Sequence, residues 1–123
     1  MNIVDSSGWL AYFANEKNAE NFLDPLKETD SLVVPTVTIY EVFKVVLREA
    51  GDNEALQAAA SMQRGIVADL TAQLSIAASK LSLQIGLPFA DSVILATAGA
   101  YDAVLWTQDS DFIDIPGVRY IPK

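Results

Sequence analysis

The chain has no cysteine and no histidine among its 123 residues. Thiolate nucleophiles, imidazole bases and ordinary zinc sites are therefore excluded. Any bound metal must be held by oxygen, which favours Mg²⁺ or Mn²⁺. No apolar run approaches the ~18 residues that a membrane span requires. A basic flank leading into an apolar stretch is also missing at the start, so no signal peptide is expected and a cytoplasmic location is. Positive charge is scarce: eight Lys and Arg stand against sixteen Asp and Glu, for a net charge of −8. That balance argues against broad binding to nucleic acid through a basic surface. It leaves room for a local site where a cation screens the acids. Linkers, repeats and low-complexity tracts are absent too. What remains is 51% apolar, enough for a folded chain with one substantial core, and residues 1–123 are expected to form a single domain.

Apolar patterning alternates between two periods. Ile3–Val4 reads as a buried strand, and Gly8–Asn15 as a helix carrying Trp9, Leu10, Tyr12 and Phe13. A helix around Ala19–Lys27 precedes "SLVVPT", a β-branched strand ending at Pro35. Thr36–Ala50 is helical and Gly51 is a stop signal. Ala55–Gln63 is an alanine-rich helix, "GIVADL" a third strand, and Thr71–Ile85 and Pro88–Tyr101 two further helices. "AVLWT" and "VRYI" supply the fourth and fifth strands. Strands alternating with helices predict an α/β three-layer sandwich, with a central parallel sheet of about five strands flanked by helices. In such sheets ligands bind beyond the carboxyl ends of the strands, where strand order reverses. Asp5 ends the first strand and Asp109 lies just past the fourth.

Each acid has a plain structural explanation beside the functional one. Asp5 could cap the first helix, although Ser6 and Ser7 could do so without stranding a charge. Glu41 lies in "TVTIYEVFKVVLREAG", where Ile39, Tyr40, Val42, Phe43, Val46 and Leu47 cluster on one side and Glu41, Lys44 and Arg48 on the other. A solvated face with an i,i+3 ion pair accounts for it. Asp91, in "GLPFADSVILATAGAY", follows a Pro88 suited to the first helical turn. Its neighbours at i+3, i+4 and i+7 are Ile94, Leu95 and Ala98. A carboxylate in that setting loses several kcal/mol in solvation, of order, unless something compensates, and a cation is the better answer. In "WTQDSDF", Asp109 and Asp111 could merely form an Asx turn. Asp102 and Asp114 read as loop or cap residues. Gathered in one cleft, Asp5, Glu41, Asp91 and Asp109 would repel one another, and without a cation some would hold protons. With divalent ions the same cluster would activate water for attack on phosphorus, with Ser7 and Thr107 as hydroxyl supports.

These motifs in this order, "IVDSS", Glu41 after the second strand, "ADSVILATA" and "TQDSDF", resemble PIN-domain proteins, specifically the VapC-type toxins of toxin–antitoxin pairs. The resemblance runs nearly end to end. It implies a Mg²⁺- or Mn²⁺-dependent endoribonuclease, neutralised by a cognate antitoxin and usually homodimeric. It implies that Asp5, Glu41, Asp91 and Asp109 bind metal and serve catalysis, with Ser7, Thr107 and Asp111 supporting or completing the site. Lys44 and Arg48, on the face of Glu41, are expected to contact RNA phosphates, against a reading of simple solubility. The stripe Trp9, Tyr12 and Phe13 is core or the seat of an antitoxin helix. Three alternatives compete. A haloacid-dehalogenase-type phosphatase needs a second Asp where Ser7 stands. A receiver domain needs adjacent acids near the first strand and a late Lys, and neither arrangement is present. A catalytically silent PIN fold that binds only RNA or a partner is compatible with the sequence.

Overall fold

Every strand is only three or four residues long, so the sheet depends on what covers it. The computed structural model describes residues 1–123. The strands are β1 (Asn2–Val4), β2 (Val33–Pro35), β3 (Ile66–Ala68), β4 (Val104–Thr107) and β5 (Val118–Tyr120). β1 pairs with β4, β4 with β5 and β2 with β3, all in parallel. An isolated parallel bridge between Asn2 and Leu32 joins the two sets, giving the order β3-β2-β1-β4-β5.

Successive strand residues point to opposite faces, and the core divides accordingly. Ile3, Val33 and Leu105 pack with Ile94, Ala98 and Phe112 on one side. Val4 and Val34 pack with Trp9, Phe22, Val42 and Met62 on the other. Full burial of side chains of this size stabilises by about 1.5–3 kcal/mol each. The expected three layers are present. Helices α1 (Ser6–Phe13), α2 (Leu23–Lys27), α3 (Thr36–Ala50) and α4 (Asp52–Met62) cover the second face. Helices α5 (Ala72–Ile85) and α6 (Phe89–Ala100) cover the first. Gly8 permits the close approach of α1: a Cβ there would lie 2.5 Å from Val4 Cγ1 and 2.9 Å from Phe22 Cε1. No single helix is long and apolar enough to cross a membrane.

Five local readings need correcting, the first being α4, which starts at Asp52 directly after Gly51 rather than at Ala55 and ends at Met62. α1 begins at Ser6 rather than Gly8, because Asp5 itself is the cap and Ser6 and Ser7 are helical. The stretch from Ala19 to Lys27 is a 3-10 turn, Ala19–Phe22, followed by the short α2. Pro88 sits just outside α6 as its cap. On α3, Tyr40 is 63% exposed and Leu47 39%, whereas Val42 is fully buried. The helix meets the core along a narrower stripe than its apolar face would allow. The order of strands reverses between β1 and β4, so the residues following these two strands share one crevice.

Candidate active site

Asp5 emerges from β1 into that crevice, its N–H held by the Trp106 carbonyl at 3.1 Å. Its carboxylate is 3% exposed and fully engaged. Oδ1 accepts from the Ser7 hydroxyl at 2.7 Å and from the Gly8 N–H at 3.0 Å. Oδ2 accepts from the Thr107 hydroxyl at 2.6 Å. The capping role and a site role are therefore not alternatives: one oxygen caps α1 and the other reaches the end of β4. Thr107 is fully buried, and its Oγ1 also accepts the Asp109 N–H at 2.9 Å. Asp109 in turn accepts the Asp111 N–H at 2.9 Å, opening a 3-10 turn over Ser110–Phe112. This Asx turn aims two acids back across the crevice.

The first turn of α6 supplies the third. Carboxylate oxygens of Asp91, Asp109 and Asp111 all lie within 4.8 Å of one another. Asp91 and Asp109 are half-buried and Asp111 is exposed. Burial raises the Asp5 carboxyl above its ordinary value, against the lowering effect of its bonds from Thr107, Ser7 and Gly8, and the Asp109 charge adds to the rise. Asp91 is pushed up to about 7, by burial first, then by the charge on Asp109, by hydrogen bonding to Asp111, and by the charges of Asp111 and Asp5. No basic side chain pairs with any of them: the ion pairs in the molecule are Lys27–Asp24 and Arg48–Glu49. Three converging hard oxygen donors with no nitrogen or sulfur among them fit Mg²⁺ or Mn²⁺.

Glu41 stands apart from this trio. It is half-buried on α3 and accepts a 2.5 Å hydrogen bond from the Ser6 hydroxyl. Consecutive serines on α1 thus hold the two flanking acids, Ser6 on Glu41 and Ser7 on Asp5. The ion pair between Glu41 and Lys44 is absent. Lys44 instead lies 5.7 Å from the centre of the Tyr40 ring, and Arg48 bonds Glu49 at 3.1 Å. Asp102 and Asp114 occupy left-handed turns, with φ of 50° and 64°, as befits loop residues.

Sequence reasoning missed two buried amides. Gln108 donates to the Ser7 carbonyl at 3.3 Å and accepts from Asn18 at 3.0 Å, while Asn18 also reaches the Pro122 carbonyl. They lock the start of α1 to the end of β4 and to the C-terminal segment. A Gln directly after a strand gives no local signal of this, since both partners are distant in sequence. Within the aromatic stripe, Trp9 is buried and stacks on Phe13 with ring centres 5.6 Å apart, whereas Tyr12 is 37% exposed. Phe13 and Leu10 line a groove of about 720 Å³ between α1, α3 and α4 that reaches Ser7 and Gln108.

A profile of the PIN domain matches residues 3–118. No curated protein matches the chain. Among solved structures, a toxin–antitoxin complex from Klebsiella pneumoniae aligns with a TM-score of 0.83 at 19% identity, over 98% of this chain and 100% of that one. The sarcin–ricin loop cleaving toxin VapC20 of Mycobacterium tuberculosis aligns at 0.75 with 20% identity, over 91% and 92%. A DNA-bound VapBC from Salmonella typhimurium aligns at 0.74 with 19% identity, over 99% and 98%.

Proposed function

The chain belongs to the PIN domain family, and on that premise we propose that it is a divalent-metal-dependent endoribonuclease acting as the toxin of a toxin–antitoxin pair. The observation that carries the proposal is the convergence of Asp91, Asp109 and Asp111 beside a buried Asp5 at the switch point of the sheet.

Asp91, Asp109 and Asp111 would hold the ion, with Asp5 behind them and Glu41 at the far side of the α1 first turn. When bound, Mg²⁺ or Mn²⁺ supplies activation of water and polarisation of the scissile phosphate. The chain's own residues do the positioning. Ser7, Gly8 and Thr107 fix both oxygens of Asp5. Thr107 simultaneously orients the loop carrying Asp109. Asp91, raised by burial and by its acidic neighbours while no ion is bound, would release its proton as an ion takes that place. Lys44 and Arg48 on α3 would contact RNA phosphates beyond Glu41, their current partners being weak and exposed.

Two of the structural relatives, from Klebsiella and Salmonella, are toxin–antitoxin assemblies, and the groove beside Phe13, part apolar and edged by Glu16, Glu49 and Glu54, suits an antitoxin segment that carries both apolar and basic side chains. Substituting Phe13 or Tyr12 should loosen that complex, and unchanged affinity would move the antitoxin elsewhere. On this reading the protein would work in the cytoplasm, beside its RNA and antitoxin, and a homodimer is the expected assembly.

The test uses purified protein with structured RNA, including a sarcin–ricin loop fragment, with and without Mn²⁺. Cutting that requires the ion and disappears in Asp5→Asn and Asp91→Asn is expected. Metal-dependent release of phosphate from small esters without RNA cutting would transfer the chain to phosphatase chemistry. Binding of RNA without cutting under any ion would make it a silent PIN module.

A further inference from the structure

Trp9 is packed into the core at 2% exposure, yet its indole N–H has no hydrogen-bond partner in the chain. Buried donors are almost always paired, so an orphan of this kind asks for an acceptor from outside. Trp106 shows the ordinary case, its N–H donating to Asn2 Oδ1 at 2.9 Å. Trp9 forms part of the wall of a pocket of about 250 Å³ between α1, α2 and the end of α4. The same wall holds Lys27, Thr29, Ser61 and Arg64, and no acid. Thr29 and Arg64 stand just ahead of β2 and β3, which puts the pocket at the amino edge of the parallel sheet. The acidic crevice lies at the carboxyl edge, so the two sites are separate.

We propose that this pocket binds a phosphate dianion, carried either by free inorganic phosphate or by the end of an RNA chain. Charge favours an anion. Two of the eight basic residues meet here, on a chain whose acids outnumber them two to one. Arg64 has no ion pair, and Lys27 has only Asp24 at 4.0 Å, with both side chains largely exposed. An exposed pair of that length holds Lys27 weakly and leaves it free to turn to a ligand. Donor chemistry narrows the class. Indole, ammonium and guanidinium groups donate and cannot accept, and the Thr29 and Ser61 hydroxyls add two more donors. Those donors arrive from α1, from α2 and from the end of α4. A carboxylate offers two oxygens in one plane and a single charge. A phosphate group turns oxygens in several directions and carries roughly −1.5 to −2 charges near neutral pH, which two cations match. Size sets the limit. The pocket is smaller than the about 300 Å³ at which sites for whole small molecules begin, so it admits the phosphate and leaves the rest of a nucleotide outside.

The chain has two tryptophans, and nitrogen-edited NMR of their indole N–H signals tests the proposal. No divalent ion is added, so the outcome is independent of whether RNA is cut. Inorganic phosphate should move the Trp9 signal downfield to saturation and leave that of Trp106, already bonded within the chain, in place. Lys27 and Arg64 are both exposed, so replacing them should not disturb folding. Lys27→Gln and Arg64→Gln should each weaken binding by about 10–100-fold, as for loss of a charge-assisted hydrogen bond, with the thermal melt unchanged. A second arm compares a short oligoribonucleotide bearing a 5′-phosphate with the same oligomer bearing a 5′-hydroxyl. Binding of the phosphorylated oligomer more tightly than inorganic phosphate assigns the pocket to an RNA end, and equal or weaker binding assigns it to free phosphate. A Trp9 signal that neither probe moves overturns the proposal and leaves that N–H to water. So does a signal that acetate or a glutamate-rich peptide moves at lower concentration than phosphate does, which would give the pocket to a carboxylate. Movement that survives undiminished in the Lys27→Gln, Arg64→Gln double variant also overturns it.

Discussion

The carboxyl edge of the sheet and the outer face of α5 break opposite rules. At the sheet edge, acids are drawn together and partly removed from water with no basic partner. On α5, large apolar side chains are left in water. Elsewhere local preference and packing agree: the central strand β2 is β-branched and buried, α3 is bounded by Pro35 and Gly51, and α5 is capped by Thr71 and stopped by a left-handed Gly86. Departures from such agreement concentrate at functional sites. Here each departure also specifies what would relieve it. Crowded hard oxygens ask for a cation, and exposed apolar side chains such as Ile76 and Leu83 ask for cover.

Perturbing the acidic edge should have the largest effect. Asp91→Asn is expected to lower metal-dependent RNA cleavage by about 10²–10⁴-fold, the range for loss of a directly acting acid–base or electrostatic group. The same substitution should raise the melting temperature of the metal-free protein, because it removes a carboxylate that its neighbours disfavour. Lost activity with a lowered melting temperature would mean that Asp91 serves the fold instead. Thr107→Val, which releases both Asp5 and the Asp109 loop, should weaken Mn²⁺ affinity by about 10–100-fold, as for other residues that orient metal ligands.

The pH dependence follows from the raised Asp91. Its folded value of about 7 exceeds the ordinary 3.8, so the folded chain holds a proton that the unfolded chain has released. The stability this proton contributes is complete below the unfolded value and is lost as pH rises through about 7. Without metal, the melting temperature should therefore fall between about pH 4 and pH 7 and level off above. Mn²⁺ competes with that proton and should raise the melting temperature more at the upper end of the window than at the lower. An equal rise at both ends would place the ion away from Asp91. The smallest effect is expected on α3. Reversing Lys44 and Arg48 to Glu should weaken RNA cleavage several-fold, mainly at low salt, and leave folding intact. Unchanged cleavage would leave these residues to solubility alone.

Much of the architecture was legible because it is local. Thr36–Ala50 was bounded correctly from its flanking Pro and Gly, and alternation of strand and helix sufficed for a parallel three-layer sandwich. The acids were legible through their setting: Asp91 has no polar neighbours on its helix face, and Asp109 and Asp111 directly follow a strand. What escaped depends on contacts between distant segments. Ser6 holds Glu41 across 35 residues and Gln108 meets Asn18 across 90. No periodicity encodes either. Asp5 shows the limit of weighing two explanations against each other, since its two oxygens satisfy both. On α3 the apolar period was real, but it does not say how wide a stripe the core will cover, so Tyr40 and Leu47 were assigned inward and lie outward. The outer stripe of α5 was equally visible in the letters. Nothing there said that its inner stripe alone would suffice to hold the helix on α6.

Titration of the free Mn²⁺ signal by electron paramagnetic resonance measures the central claim most directly. The wild-type chain should remove Mn²⁺ from solution with release of protons near neutral pH, and Asp91→Asn and Asp109→Asn should each abolish that uptake while remaining folded. Uptake by both variants equal to that of the wild type, or no uptake by the wild type, would contradict a metal centre built from these acids.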